Sequence, residues 1–267
     1  MRVTEYGTTL FHLHALEANR SRQDRLHLEL ASGRRLLQDS DDPADSAEAR
    51  TVRRQAGYLS LYRENIDRAS ATLSYADSIL ANATQLLYQA QQLANQAASS
   101  LLPSSQLKNS ASALLDLRKG LFDLANSSLQ GVYIFGGAQN TVKPYIYVDP
   151  ANPANPNPDP LTSYVVFRGD GNDREVPVNT QLTVQDTMSG QEIFNTNPYP
   201  TNPVPVPPPA PGNPQDVFEI LRLMADAIEH GNIQSGTPNF DQLMPLLEKA
   251  RATISDKRGE LGARLSY

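Results

Sequence analysis

Leu59, Ile66, Leu73, Leu80, Leu87 and Leu101 recur every seven residues, with Ala94 in the one gap. Ala69, Ala76, Ala83, Ala90 and Ala97 form a second seven-residue row beside them. Two apolar rows separated by alternating steps of three and four have a mean period of 3.5, which keeps one stripe turned towards a partner helix along its whole length. The pattern predicts an uninterrupted helix from about Asp45 to Leu102, of coiled-coil or bundle type. The Ala row lets a neighbouring backbone approach closely, and the Leu row fills the facing holes. At 1.5 Å per residue this helix is roughly 87 Å long. A compact globule of this chain length, with a radius of gyration of roughly 18 Å, is only about 47 Å across, so the expected molecule is a rod.

The same period returns twice. Leu107, Leu114 and Leu121 form one row, with Leu117 and Leu124 a second; later Phe240, Leu247, Ile254 and Leu261 recur every seven residues with Leu243 and Ala250 between them. Pro103-Ser104-Ser105 separates the first two runs, and a short connection between long helices places them antiparallel and adjacent. A further helical run carries Val217, Leu221, Met224 and Ile228. The expected fold is mainly α with a small β insert (α+β), an elongated antiparallel bundle of long coiled-coil-like helices. At the head of the long helix, Asp42 is placed as N-cap, Pro43 as first helical residue and Asp45 in the first turn beside the positive end of the helix dipole. Before it, Leu10, Leu13, Leu16, Leu26 and Leu30 suggest an amphipathic helix from about Thr8 to Ala31, stopped by Ser32 and Gly33.

Residues 141–214 differ in character. Two Pro/Asn-rich stretches, Pro150 to Pro160 and Pro198 to Pro214, cannot donate ladder hydrogen bonds regularly and favour extended polyproline conformation. Between them lie strand signals at Tyr164 to Arg168, Arg174 to Val178 and Gln181 to Val184. Gly169 to Asp173 reads as the turn of a hairpin between the first two. The expected division is 1–40 as a terminal-helix region, 41–140 plus 215–267 as a discontinuous bundle core, and 141–214 as a tethered β-rich insert near the tip of the rod. Val132 to Phe135 is a further β-prone run, closed by Gly136-Gly137.

The residue types restrict the chemistry. A net charge of −6 argues against a nucleic-acid footprint, which needs a concentrated basic face. There is no Cys, so disulfides and thiol chemistry are excluded. No stretch approaches the roughly 18 apolar residues of a membrane span, and residues 1–20 lack the apolar core of a cleaved signal. His12 and His14 are two apart and point to different sides of a helix, and metal-ligand spacing is absent. Asp39, Asp41, Asp42 and Asp45 lack the Gly and Glu of a calcium loop, with Ala44 and Arg50 in those places. Gly169 and Gly171 have no third Gly and no following helix pattern. No catalytic residue, cofactor or metal is expected.

Leu30-Ala31-Ser32-Gly33-Arg34-Arg35-Leu36 followed by Asp41-Asp42-Pro43-Ala44 resembles the N-terminal signature of bacterial flagellins and their hook-associated relatives. Asn65 to Ala69, Leu93 to Ala98 and Arg258 to Leu265 continue the same order and spacing, over roughly residues 1–140 and 240–267. Val132-Tyr133-Ile134-Phe135-Gly136-Gly137 is closer to the hook-filament junction members of the family than to flagellin. The resemblance implies a secreted structural subunit of the flagellum, exported unfolded through the flagellar type III apparatus. Its implied partners are other copies of itself in a ring, the hook-side junction protein, flagellin and an export chaperone, with neither nucleic acid nor membrane. It also implies that the first helix pairs with a C-terminal helix, which is missing after Leu265, so that residues 1 to about 40 are expected to be poorly ordered or held by neighbouring molecules. The segment that an innate immune receptor recognises in flagellin carries Arg where this chain has Gln89 and Gln91.

Two other readings are a flagellin that forms the filament itself and, from a different class, an elongated coiled-coil signalling or adhesin module. An enzyme using the insert is a third, and the insert offers no His and only scattered carboxylates. For the subunit interface, the charged residues around the helix start are the candidates: Arg34, Arg35, Asp41, Asp42, Arg53 and Arg54. Their bland alternative is local capping and solvated pairs of little individual worth. The Leu59-to-Leu87, Leu107-to-Leu121 and Phe240-to-Leu261 rows are the expected bundle seam.

Overall fold

The computed structural model describes residues 2–33, 35, 42–99, 103–149, 163–194, 216–230 and 240–265. They form α1 (Arg2–Ser32), α2 (Pro43–Ser99), α3 (Ser104–Ala125), β1 (Ser128–Leu129), β2 (Val132–Tyr133), β3 (Tyr145–Val148), β4 (Tyr164–Phe167), β5 (Glu175–Pro177), β6 (Thr183–Gln185), α4 (Gly190–Phe194), α5 (Val217–Glu229) and α6 (Phe240–Leu265). The chain divides into two compact units, Met1–Leu61 and Tyr62–Tyr267. Their boundary falls inside α2, about twenty residues beyond the expected one at 40/41.

The first unit holds α1 and the opening turns of α2. Gly33, at φ +62°, takes the left-handed conformation that ends helices at low cost only for glycine. Asp42 caps α2: its Oδ1 accepts from the backbone N–H groups of Ala44 and Asp45, both at 3.2 Å. These are two of the four donors that a helix start leaves without intrahelical partners. Among the described residues of this unit no apolar side chain is buried.

The second unit is a four-helix arrangement of α2, α3, α5 and α6 with the strands laid on it. Gly120 of α3 packs against Leu86, and Ala113 lies level with Leu93 and Gln96, so α3 runs antiparallel to α2. The Pro103 break and the short connection that follows it produce this reversal. Leu73, Leu80 and Leu87 are buried together with Ala69, Ala76, Ala83, Ala90, Ala94 and Ala97. Leu114, Leu121, Phe240, Leu247, Ile254 and Leu261 are buried as well, and Leu107 is half-buried.

Leu59 and Ile66 depart from the expected seam, with 67% and 48% of their surface exposed. Arg258 of α6 pairs with Asp77, in the part of α2 where the row is buried. A heptad period marks an apolar face whether or not a neighbour covers it.

α5 occupies the centre. Val217, Phe218, Ile220, Leu221, Met224, Ala225, Ala227 and Ile228 are all buried, so apolar residues surround this helix on nearly every side, as a fully enclosed helix requires. It packs on α3, α6 and β4.

The β segment is part of the same core rather than a tethered tip. Tyr145, Val165, Phe167, Met188, Ile193 and Phe194 join one buried cluster with the helices. The Tyr145 ring packs at 5.3–5.6 Å, tilted or edge-on, against Phe167, Phe194 and Phe218. Strand pairing also differs from expectation. β4 pairs antiparallel with β3, and β5 pairs with β6, so Gly169 to Asp173 does not close a hairpin between β4 and β5. Tyr145-Ile146-Tyr147-Val148 outcompetes the nearer strand because it buries aromatic area on the helices. β1 and β2 form a tight hairpin whose two central residues, Gln130 and Gly131, both have positive φ, the geometry that matches strand twist.

Candidate assembly surfaces

Of the six charged positions proposed for subunit contacts, the four described ones do not form one cluster. Arg34 and Asp41 lie outside the described residues. Asp42 is spent on the helix cap. Arg35 reaches across the turn to Asp45 in the first turn of α2, an exposed pair of the kind worth about 0–1 kcal/mol. Arg53 and Arg54 are exposed on α2. Of the described four, two serve the local start of α2 and two face solvent.

The larger exposed feature is apolar. Along α1, Tyr6, Phe11, Leu16 and Leu30 expose between 68% and 80% of their surface, and Val52, Tyr58, Leu59 and Leu61 continue the exposure on α2. Scattered surface leucines are ordinary, but this many large apolar side chains exposed on one unit make it the candidate interaction surface.

The α2/α3 side of the bundle carries a shallow groove lined by Gln89, Gln92, Gln96, Leu93, Asp116 and Leu117. Its amides offer donors and acceptors without charge. A smaller cavity of about 140 Å³ sits between α4, α5 and α6, floored by Ile193, Phe194 and Ile220. Its rim includes Glu192, which is engaged by Lys257 at 2.9 Å. Among the described residues no group of three or more His, Cys, Asp or Glu is placed to hold a metal, and no helix is long and apolar enough to cross a membrane. His12, His14 and His27 lie on α1, and His230 sits at the end of α5, its Nδ1 beside the Asp226 carbonyl at 3.0 Å.

Polar groups bind the strands to the helices. Asn126, at the end of α3, accepts from the Tyr145 N–H at 2.9 Å and donates to the Phe122 carbonyl at 3.1 Å. The amide side chain of Asn126 thus ties β3 to the helix C-terminus. Arg174 grips the fully buried Asp186 with two hydrogen bonds, and this partner holds its guanidinium above the usual arginine range. Asp173 faces Arg264 at 3.8 Å, while burial raises its carboxyl above the ordinary range. Sequence alone does not single out Arg118: with Asp116 and Lys119 it is one of three charged residues between Leu114 and Leu121 of α3, and only the fold buries it, to 1% exposure.

A bundle with heptad seams, strands folded onto its core and an uncovered first helix defines a helical structural subunit. The sequence matches the bacterial flagellin N-terminal helical region over residues 4–140, and the chain belongs to that family. Its fold is similar to those of hook-associated flagellar proteins. Flagellar hook associated protein-3 from Legionella pneumophila has 17% identity and a TM-score of 0.63, over 82% of this chain and 92% of that one. FlgL of Xanthomonas campestris has 20% identity and a TM-score of 0.61, over 79% and 93%. The flagellar junction protein FlgL from Legionella pneumophila has 15% identity and a TM-score of 0.62, over 82% and 98%. No curated protein matches in sequence.

Proposed function

We propose that this chain is the structural subunit that joins hook to filament in a bacterial flagellum, working by helix packing and subunit recognition rather than by catalysis. The observation that carries the reading is the fold likeness, over about four-fifths of the chain, to proteins described as hook-associated protein 3 and flagellar junction protein. Membership of the flagellin family supports the flagellar setting. In this reading the chain is secreted through the flagellar export apparatus with the help of a chaperone. It assembles with other copies in a ring, between the hook-side junction protein and the first flagellin subunits.

The exposed apolar run of α1 and early α2 is the surface this assembly uses. Arg53 and Arg54 beside it, with Arg34, Arg35, Asp41 and Asp42, supply charged contacts to neighbours. Deletion of the gene tests the function: cells without the protein are expected to lose filaments and shed flagellin monomers into the medium. Filaments of normal length on the deletion strain overturn the reading. A filament-forming flagellin is the second reading, favoured by the family match itself, and it predicts that the protein is the bulk component of sheared filaments.

A further inference from the structure

Arg118 is a buried cation that the assembly reading leaves without a role. Its Nε donates to the Phe218 carbonyl at 2.9 Å and its Nη2 to the Ser163 carbonyl at 2.8 Å, and the guanidinium lies 5.3 Å from the centre of the Tyr147 ring. The two carbonyls belong to distant parts of the chain, 100 and 45 residues away. Ser163, fully buried, immediately precedes β4 and follows the first Pro/Asn-rich stretch. Phe218, also fully buried, is in the first turn of α5 and follows the second. One planar group therefore holds two backbone positions, one just before β4 and one in the first turn of α5, that lie far apart in the chain.

Two physical points give this arrangement a meaning beyond strength. Burial disfavours the charged guanidinium and lowers its pKa, and apolar residues often replace buried ions at no loss of stability. What a guanidinium adds is geometry, because its donors are fixed in one plane and satisfy two acceptors at set angles. If one carbonyl moves away, the other is left with a cation that has lost part of its solvation shell, so the two contacts favour each other.

We propose that Arg118 is a two-point clasp that couples docking of the β3–β4 layer to docking of the first turn of α5. The two then close over Phe122 of α3, or open, as one event. The clasp makes the β3–β4 layer and the start of α5 a cooperative cover of α3.

Hydrogen exchange read by mass spectrometry on the full chain tests this, comparing the unaltered protein with Arg118→Met and Arg118→Lys. In R118M, β4 and the first turn of α5 are expected to exchange faster by a common factor of about ten or more. The α2 amides from Leu80 to Ala97 and those of α6 keep their protection. Acceleration of only one of the two segments, or of neither, overturns the clasp. If R118M loses protection everywhere, R118K decides the matter: equal acceleration at both segments supports the proposal, and unequal acceleration overturns it.

Discussion

Asp216 carries two assignments that pull its carboxyl in opposite directions. As N-cap of α5 it accepts from the Phe218 N–H at 2.7 Å, which favours the charged form. Burial of the carboxyl outweighs this and pushes its pKa up to about 8, with Glu219 adding in the same direction and Arg118 opposing. The residue as a whole still keeps some exposed surface, so the burial belongs to the carboxyl end. The folded state thus holds the proton more tightly than the unfolded chain, whose Asp titrates at about 3.9. Below pH 4 both states are protonated and Asp216 makes no difference; between about 4 and 8 stability falls as pH rises, and above 8 the full cost is present. Urea midpoints at pH 5 and 8 are expected to drop for the unaltered protein and to drop less for Asp216→Asn, since Asn keeps the cap without the charge. An identical fall in both proteins contradicts the assignment. Gly190 gives a second test at this scale. A Cβ there lies 2.2 Å from the Tyr145 hydroxyl and 2.9 Å from the Phe135 carbonyl, so Gly190→Ala is expected to destabilise by roughly 1–3 kcal/mol, read by denaturant unfolding.

Among the elements, α2 was the most legible and the strands the least. The Asp42-Pro43 start, the Pro103 break and the Leu73-to-Leu87 row are local signals, set by cap geometry and by a period that sequence displays directly. Pairing of Tyr145–Val148 with Tyr164–Phe167 depends on aromatic burial against Phe218 and Phe122, residues that nothing in the intervening chain announces. The heptad rows do not show their own limits, because a period says which face is apolar and not how far a neighbour extends: Leu73, Leu80 and Leu87 are buried, Leu59 and Ile66 exposed. This yields a graded prediction along one row. Leu80→Ala and Leu87→Ala, at fully buried positions, are expected to cost about 2–5 kcal/mol. Leu59→Ala and Ile66→Ala are expected to stay within about 0.5 kcal/mol for the isolated chain, with thermal or chemical unfolding as the readout. Large losses at Leu59 or Ile66 would mean that the row is covered within the single chain.

For the whole molecule, buried and exposed apolar side chains separate along the sequence. Every buried apolar residue so far described lies at or beyond Ala69, whereas Tyr6 to Leu61 present theirs to solvent. A chain that stops burying apolar side chains there has surface to offer a neighbour, which is the physical content of a subunit. Charge in the sequence does not tell a subunit contact from a local one: Arg35, Asp42 and Asp45 share a helix start whose own donors and dipole compete for them, and among the described candidates Arg53 and Arg54 are turned outward. Reversing both, as Arg53→Glu with Arg54→Glu, is expected to reduce incorporation into flagella while leaving the helical circular dichroism of the purified chain unchanged. Normal incorporation would assign these residues to solvent.

Electron microscopy of flagella with the protein specifically labelled tests the junction assignment most directly. Label in a single band at the boundary between hook and filament is expected; label spread along the filament, or absent from flagella, would contradict the assignment.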